Sequence, residues 1–500
     1  MFESINNKVY SSPRIICLER TEKILRQFLE DKAGRISRAG QDILVELDQE
    51  DAGAVIAEIK NNPELAVESL KSINIIEDGK KTCLLSEFSV SSPGYSIILK
   101  ISMKERMLRS GLESIINQFK EYYGTAGFYK SGEKAGGETY NYSITGQVFY
   151  GSGGFGIDLS LEDDIIKAAY IDTSVSRAIN KDFFRGLEIE QLISYMGRFD
   201  YNAGIFSELA FCLGIEELLQ LQVPRRGKYI RMLVSELFRI TSHLNFLAGL
   251  AEILGHDMVW NMIMIEREKL LSIIEVVTGA RVIPNYIKIG GVRSEIGSDI
   301  IKKIKCDTAV FFKNFRKIER TIKADFTFIE RLRGLGVINK DMAGEYGISG
   351  PNLRASGIRY DLRKNMDYTG YRDINFNVPY TRNGDCLDRV IVRLGEICQS
   401  VRIIQQIVEQ IPSGPVVKRI NLSHLDFSPA PFTASVECPH GIFKIFGEAE
   451  GNSLKTFIVL GPSRQSLSLA GTLLEGNSFD DIEIIIASLD INGGEVMGPA

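Results

Sequence analysis

No Cys-x-x-Cys pair occurs in these 500 residues; the seven cysteines, at 17, 83, 212, 306, 386, 398 and 438, come no closer than twelve positions. Iron-sulfur clusters and structural zinc draw two ligands from one tight turn, so this spacing argues against a complete metal site and reads as reduced, packed or surface thiols. Histidine is scarce as well, four in all and none before residue 243. No apolar run approaches the roughly 18 residues a spanning helix needs, and Met1-Phe2-Glu3-Ser4 opens no charged-then-apolar leader. A formal charge of -5 leaves no broad basic face, so neither nucleic acid nor an anionic membrane surface is an expected partner by charge. What is present, 44% apolar and 25% charged residues, is the balance of a globular protein of two or three domains. Such a chain is expected in the cytosol, or docked on a membrane through a partner.

From Ile43 to about Lys120 the pattern alternates strand and helix. Ile43 to Leu47 predicts a strand, and Asp51 to Lys60 a helix opened by acidic residues. Asn62-Pro63 breaks it, and Glu64 to Ile73 predicts another helix. Cys83 to Val90 and Tyr95 to Ser102 predict two strands joined by a turn at Ser91 to Gly94, completing a small α/β domain. Gly-rich stretches at Ser131 to Gly137 and Gly151 to Gly154 read as linker and loop. Gly151 to Gly156 lacks the Lys-Ser/Thr ending of a phosphate cradle, which argues against nucleotide binding.

From Gly186 to Pro412 long helices dominate. Pro224 suits a first turn, and Ile230, Leu233, Leu237, Ile240, Leu244, Leu247 and Leu250 follow at helical spacing. Met258 to Val277 predicts a second helix stopped by Gly279, Lys302 to Arg333 a third stopped by Gly334, and Asp385 to Ile411 a fourth stopped by Pro412. Helices of this length pack best as a bundle. Strands are expected at Ala434 to Glu437, Ile442 to Phe446, Thr456 to Leu460 and Ile482 to Ala487, with a helix at Arg464 to Leu474. The fold class is therefore α+β.

Across the helical region an ordered set of segments resembles a known family. They include Arg185-Gly-Leu-Glu188, Gly197-Arg-Phe-Asp-Tyr201, Val223-Pro-Arg-Arg226, Ser235-Glu-Leu-Phe-Arg239 with Ser242-His-Leu244, and Glu266-Arg-Glu-Lys269. Thr278-Gly-Ala-Arg281 through Val292, Arg331 to Val337, Leu353 to Lys364, Gly384-Asp385 with Asp388-Arg389, and Ile485 to Asp490 complete the set. Each is weak alone. In this order, from Leu159 to Val496, they resemble the D-type (49 kDa-type) subunit of NADH:quinone oxidoreductase (complex I), in the superfamily of the nickel-iron hydrogenase large subunit. Asn62-Pro-Glu-Leu65 to Ile76 more faintly resembles the C-type (30 kDa-type) subunit. The resemblance implies a C-type-like α/β domain over 1–125, a Gly-rich linker and loop over 126–156, and a hydrogenase-like bundle with peripheral strands over 157–500.

The catalytic hydrogenases hold their metals with two Cys-x-x-Cys pairs, whose places here carry Asp200-Tyr-Asn-Ala203 and Asn492-Gly-Gly-Glu495. Carboxylates and amides do not replace thiolates at so soft a centre, so hydrogen activation is not expected and no metal ligands are assigned. In respiratory members the emptied site becomes part of a quinone pocket beside a partner's iron-sulfur cluster. The resemblance gives Tyr201 the role of hydrogen-bonding a quinone head group, and Arg198 and Arg281 that of contacting the partner's cluster. Their alternatives are a helix-end tyrosine with its ring in the core and ordinary salt-bridging arginines. The departures are the family's proton-carrying groups: a His loop aligns with Gln147 to Gly156, an Asp falls at Ile253 beside Glu252, and a cluster-side His falls at Ile283. None of these replacements titrates near neutral pH. Of the histidines present, His243 is expected to pack, while His256, His424 and His440 read as structural or exposed. Glu266, Arg267, Asp388, Arg389 and Arg393 fit either a buried network or a solvated face.

The resemblance thus implies a subunit of a complex I-like or energy-converting hydrogenase-related oxidoreductase. This chain alone would bind no cofactor. Quinone would sit at its interface and the iron-sulfur cluster on a B-type small subunit, with an H-type membrane subunit and other complex I-like subunits as further partners. The complex would lie peripherally on the cytoplasmic side of the cell membrane. Two alternatives stay open: a redox-inactive structural or coupling subunit of the same kind of complex, and a free cytosolic enzyme.

Overall fold

The structure, a computed structural model, describes residues 21–27, 35–39, 42–62, 65, 67–78, 81–90, 96–102, 128–131, 139–144, 155–172, 184, 187–366, 368–422 and 425–497. The chain divides into two compact units, residues 1–145 with 156–158 and residues 146–155 with 159–500.

The first unit holds a six-stranded sheet of β1 (Arg35–Ala39), β2 (Asp42–Asp48), β3 (Val67–Asp78), β4 (Lys81–Val90), β5 (Ser96–Ser102) and β6 (Phe128–Ser131), in the order β1-β2-β5-β4-β3-β6. β2 and β5 run parallel, with Ile43, Val45 and Leu47 opposite Ile97, Leu99 and Ile101. All six are buried, as side chains at every second position on one face of a sheet must be to form a core. Helix α1 (Gln49–Asn61) buries Ala52, Val55, Ile56 and Ile59, one helical stripe. Of the helix expected at Glu64 to Ile73, Val67 to Ile73 belong instead to β3, paired antiparallel with β4 from Val67 opposite Val90 to Asp78 opposite Lys81, while Glu64 and Ala66 lie outside the described residues. Helix-like propensity at its start loses to a long ladder containing the β-favouring Ile73, Ile75 and Ile76. The turn at Ser91 to Gly94 and both Gly-rich stretches, apart from Ser131, lie outside the described residues.

Strand β7 (Phe155–Glu162), whose residues 156–158 are counted with the first unit, is joined to strand β8 (Ile165–Asp172) of the second unit through Asp163 and Asp164, both at positive φ (50° and 64°). Helices α2 (Ile189–Met196), α3 (Ile205–Leu218), α4 (Arg225–Ile253), α5 (Asp257–Thr278), α6 (Ser298–Ala324), α7 (Phe326–Leu332) and α8 (Cys386–Gln410) follow. α4 starts behind Pro224 and is buried around nearly its whole circumference, because α3, α5 and α8 all pack on it. Gly279, at φ 83°, ends α5. The single helix expected from Lys302 to Arg333 is two: the Asp325 carboxylate accepts the Phe328 amide and caps α7, restarting the chain in a new direction. Strands β9 (Phe427–Glu437), β10 (Ile442–Gly451) and β11 (Ser453–Leu460) form an antiparallel sheet. α9 (Pro462–Leu474), α10 (Ile482–Leu489) and α11 (Gly493–Met497) complete the unit. The strand expected at Ile482 to Ala487 is α10: Ile484, Ile485 and Ile486 are all buried, and a short apolar run alone does not distinguish a strand from a helix in the core.

Candidate functional site

Helix α2 opens with a reciprocal cap between Glu188 and Gln191 and buries Ile189, Leu192, Ile193 and Met196. It ends in a tight 3-10 turn, Gly197–Phe199. A methyl group on Gly204 would stand 2.3 Å from the Gly197 carbonyl oxygen, so the backbone doubles back as closely as two glycines allow. The same turn sends its side chains in opposite directions. Asp200 is 3% exposed and Tyr201 52% exposed. The Tyr201 ring is therefore not in the core. Arg198 is exposed too, its guanidinium 5.8 Å from the Tyr195 ring centre, and among the described residues it forms no ion pair.

Arg281 lies on the loop after α5, bonded to Glu268 at 2.5 Å and Glu275 at 3.0 Å; those two hydrogen bonds raise its pKa. Two residues on, the Ile283 side chain packs against Gly197, 2.9 Å from where a methyl would project. The turn thus carries Arg198 and Tyr201 together, while Arg281 is held in surface pairs on the neighbouring loop. Ile253 ends α4, half-buried. His256 pairs with Asp325 at 3.2 Å and stacks edge-on to Phe328. His424 is outside the described residues.

The inward side of the turn holds what sequence reasoning missed. Asp200 Oδ1 accepts the Asn202 and Ala203 amides (2.8 and 3.0 Å) and the Asn492 side-chain amide (2.7 Å), although Asp200 and Asn492 are 292 positions apart. Gly494 fits against the Phe199 carbonyl, where a methyl would sit at 2.4 Å. His440 comes from the tight link between β9 and β10, closed by the Cys438 amide donating to the Gly441 carbonyl at 2.7 Å, and is 4% exposed. Its Nε2 is 3.3 Å from Asp200 Oδ2 and its Nδ1 3.1 Å from Asp490 Oδ2, ion-pair distances without good hydrogen-bond alignment. Burial opposes a charge on this imidazole, yet Asp490 and Asp200 carry its pKa well above the ordinary value. Burial pushes the Glu495 carboxyl up to about 7; its Oε2 accepts the Ser463 amide and hydroxyl. Asp490 stands in the left-handed region at the end of α10 (φ 57°), and despite burial His440 and Arg393 hold it down to about 2. The family-aligned positions pointed to Asp200 and Glu495; nothing in a Pro-His-Gly turn announced His440 as their neighbour.

Beside this lies a second buried group, on α4, α8 and the segment 354–363. Arg354 pairs with Glu396 at 2.6 Å and Glu437 at 2.8 Å, and Arg363 with Asp361 at 2.7 Å and Glu236 at 3.0 Å. His243, expected simply to pack, meets Glu396 at 3.0 Å, and burial lowers its pKa to about 4. Glu236 also receives Tyr371 and Ser400 hydroxyls. Asp388, Arg389 and Arg393 are buried as well, but Arg389 donates to the Gly336 and Gly384 carbonyls and Arg393 reaches Asp490. Glu266 joins Lys269 and Asn314 elsewhere. The network is real and mostly built from other residues than those expected.

Residues 254–428 match the family described as respiratory-chain NADH dehydrogenase, 49 Kd subunit. The chain is 35% identical over 308 residues to the D subunit of the Clostridium beijerinckii NADH-quinone oxidoreductase, spanning 61% of this chain and 83% of that one. It is 31% identical to the corresponding D subunit of Methylacidiphilum infernorum, over 69% of this chain and 88% of that one. Among solved structures it is similar to a chain of the membrane-bound sulfane sulfur reductase, an archaeal respiratory membrane complex. The TM-score is 0.68 at 28% identity, covering 72% of this chain and 98% of that chain. The chain belongs to the family of NADH-quinone oxidoreductase D subunits, the 49 Kd subunits of the respiratory NADH dehydrogenase.

Proposed function

We propose that this chain is the hydrogenase-like subunit of a membrane-associated, complex I-like oxidoreductase, and that its Gly197–Tyr201 turn forms one wall of the electron-acceptor pocket. The observation that carries the reading is the turn itself, which presents within four residues an exposed guanidinium, without an ion pair among the described residues, and an exposed phenol. Arg198 supplies a fixed positive charge, suited to a neighbouring redox group that becomes more negative on reduction. Tyr201 supplies a hydroxyl donor suited to a quinone-type carbonyl oxygen, which gains negative charge as it accepts electrons. The electrons come from an iron-sulfur cluster in a small partner subunit, and a membrane subunit lies beneath. No helix among the described residues is long and apolar enough to cross a membrane. In this reading attachment runs through such a partner, on the cytoplasmic side. Residues 1–125 act as the C-type-like domain of the same subunit.

The test is Tyr201→Phe in the assembled complex. A hydrogen bond to a charge-bearing group contributes about 1.5–3 kcal/mol, so acceptor reduction should slow by roughly 10- to 100-fold with assembly unchanged. Unaltered electron transfer would remove the reading. A second one, a redox-inactive coupling subunit, is favoured by Ile253 and Ile283 standing where the family carries titratable groups, and that result would support it.

A further inference from the structure

We infer that Asp200, His440 and Glu495 form a binding site for one divalent first-row metal ion of nitrogen- and oxygen-preferring type, distinct from any thiolate centre. Each offers one donor atom, and the three atoms lie within 4.8 Å of one another in a fully buried group. Donors sharing one ion at about 2.1 Å each stand roughly 3–4 Å apart, so the 3.3 Å between Asp200 Oδ2 and His440 Nε2 already suits a shared ion.

Asp200 and Glu495 each have one carboxylate oxygen held by neighbouring amides or hydroxyls, and Asp200 Oδ2 is left without a hydrogen-bond partner. Asp200 Oδ1 is occupied by Asn492 and two backbone amides, while Oδ2 has no hydrogen-bond partner although the residue is 3% exposed. Glu495 Oε2 accepts from Ser463, and Oε1 accepts only the weak donor of the Cys438 thiol at 3.7 Å, a bond a metal ion would replace. Like Asp200 Oδ2, His440 Nε2 is unpartnered, with Asp490 3.1 Å from Nδ1. A carboxylate behind the far ring nitrogen is the usual way a metal-bound histidine is oriented. Among the described residues no lysine or arginine side chain pairs with Asp200 or Glu495, so a divalent cation, binding with release of the proton from His440, would balance their charge. Two carboxylates and an imidazole suit Mn²⁺, Fe²⁺, Co²⁺ or Zn²⁺ rather than a soft ion.

The experiment uses the full chain, stripped with chelator and titrated with Co²⁺ alone and with Mn²⁺ alone, read by visible absorption and by electron paramagnetic resonance. Expected is one equivalent per chain, lost in Asp200→Asn and Glu495→Gln. In Asp490→Asn, which removes no ligand, affinity should fall about 10- to 100-fold. Circular dichroism checks that each variant is folded. No binding by the wild type, or binding unchanged in all three folded variants, would overturn the site. Because the readout is metal occupancy, its failure is separate from failure of the acceptor-pocket reading.

Discussion

A methyl group on Gly204 would collide with the Gly197 carbonyl oxygen, whereas one on Gly297 would meet nothing within 4 Å. Overpacking of backbone against side chain costs about 1–3 kcal/mol and more where nothing can yield. Gly204→Ala should therefore lower the unfolding midpoint markedly, while Gly297→Ala stays within about 0.5 kcal/mol of wild type. Buried titratable groups make a second test at this scale. His243 titrates at about 4 in the fold and near 6.5 unfolded, so between those values only the unfolded chain binds the proton. Stability from this group falls as pH drops through that window, by up to about 3 kcal/mol. Burial raises Glu208 to about 7, against amide hydrogen bonds from Ile287 and Tyr286. It has the opposite sign: the fold keeps a proton there, and stability falls as pH rises from about 4.5 to 7. The two offset each other in the wild type. Denaturation midpoints measured against pH should show Glu208→Gln losing stability in acid more steeply than wild type, and His243→Gln less steeply.

At the scale of elements, charge placement separates weak pairs from strong ones. Arg281 sits among carboxylates at the surface, and Arg281→Ala should change stability by less than about 1 kcal/mol. Arg354 is wholly buried between Glu396 and Glu437, and Arg354→Ala leaves uncompensated charge inside the bundle. Such a loss costs about 3–5 kcal/mol, measurable as reduced yield and a lowered midpoint of the full chain. Helices were the most legible elements in the sequence, because stop signals such as Gly279 are local; the cap at Asp325 was missed because apolar periodicity continues through it. Glu64 to Ile73 and Ile482 to Ala487 were misread for one reason: a ladder to β4 and a place in the α-helical core are decided by distant partners. Tyr201 and Arg198 were found only through ordered resemblance, since neither differs locally from any surface residue. His440 left no comparable signal.

At the scale of the whole molecule, the second unit joins residues hundreds of positions apart into one interior. Asn492 holds Asp200, Glu495 stands beside Cys438, and Gly494 seats on Phe199. Contacts so distant in sequence require closing long loops, which slows folding. During synthesis Asp200 leaves the ribosome well before His440 and Asn492, the groups that pair with it and orient it. Fragments ending before residue 490 would carry that carboxylate without Asn492 and should be cleared faster by proteolysis than the full chain.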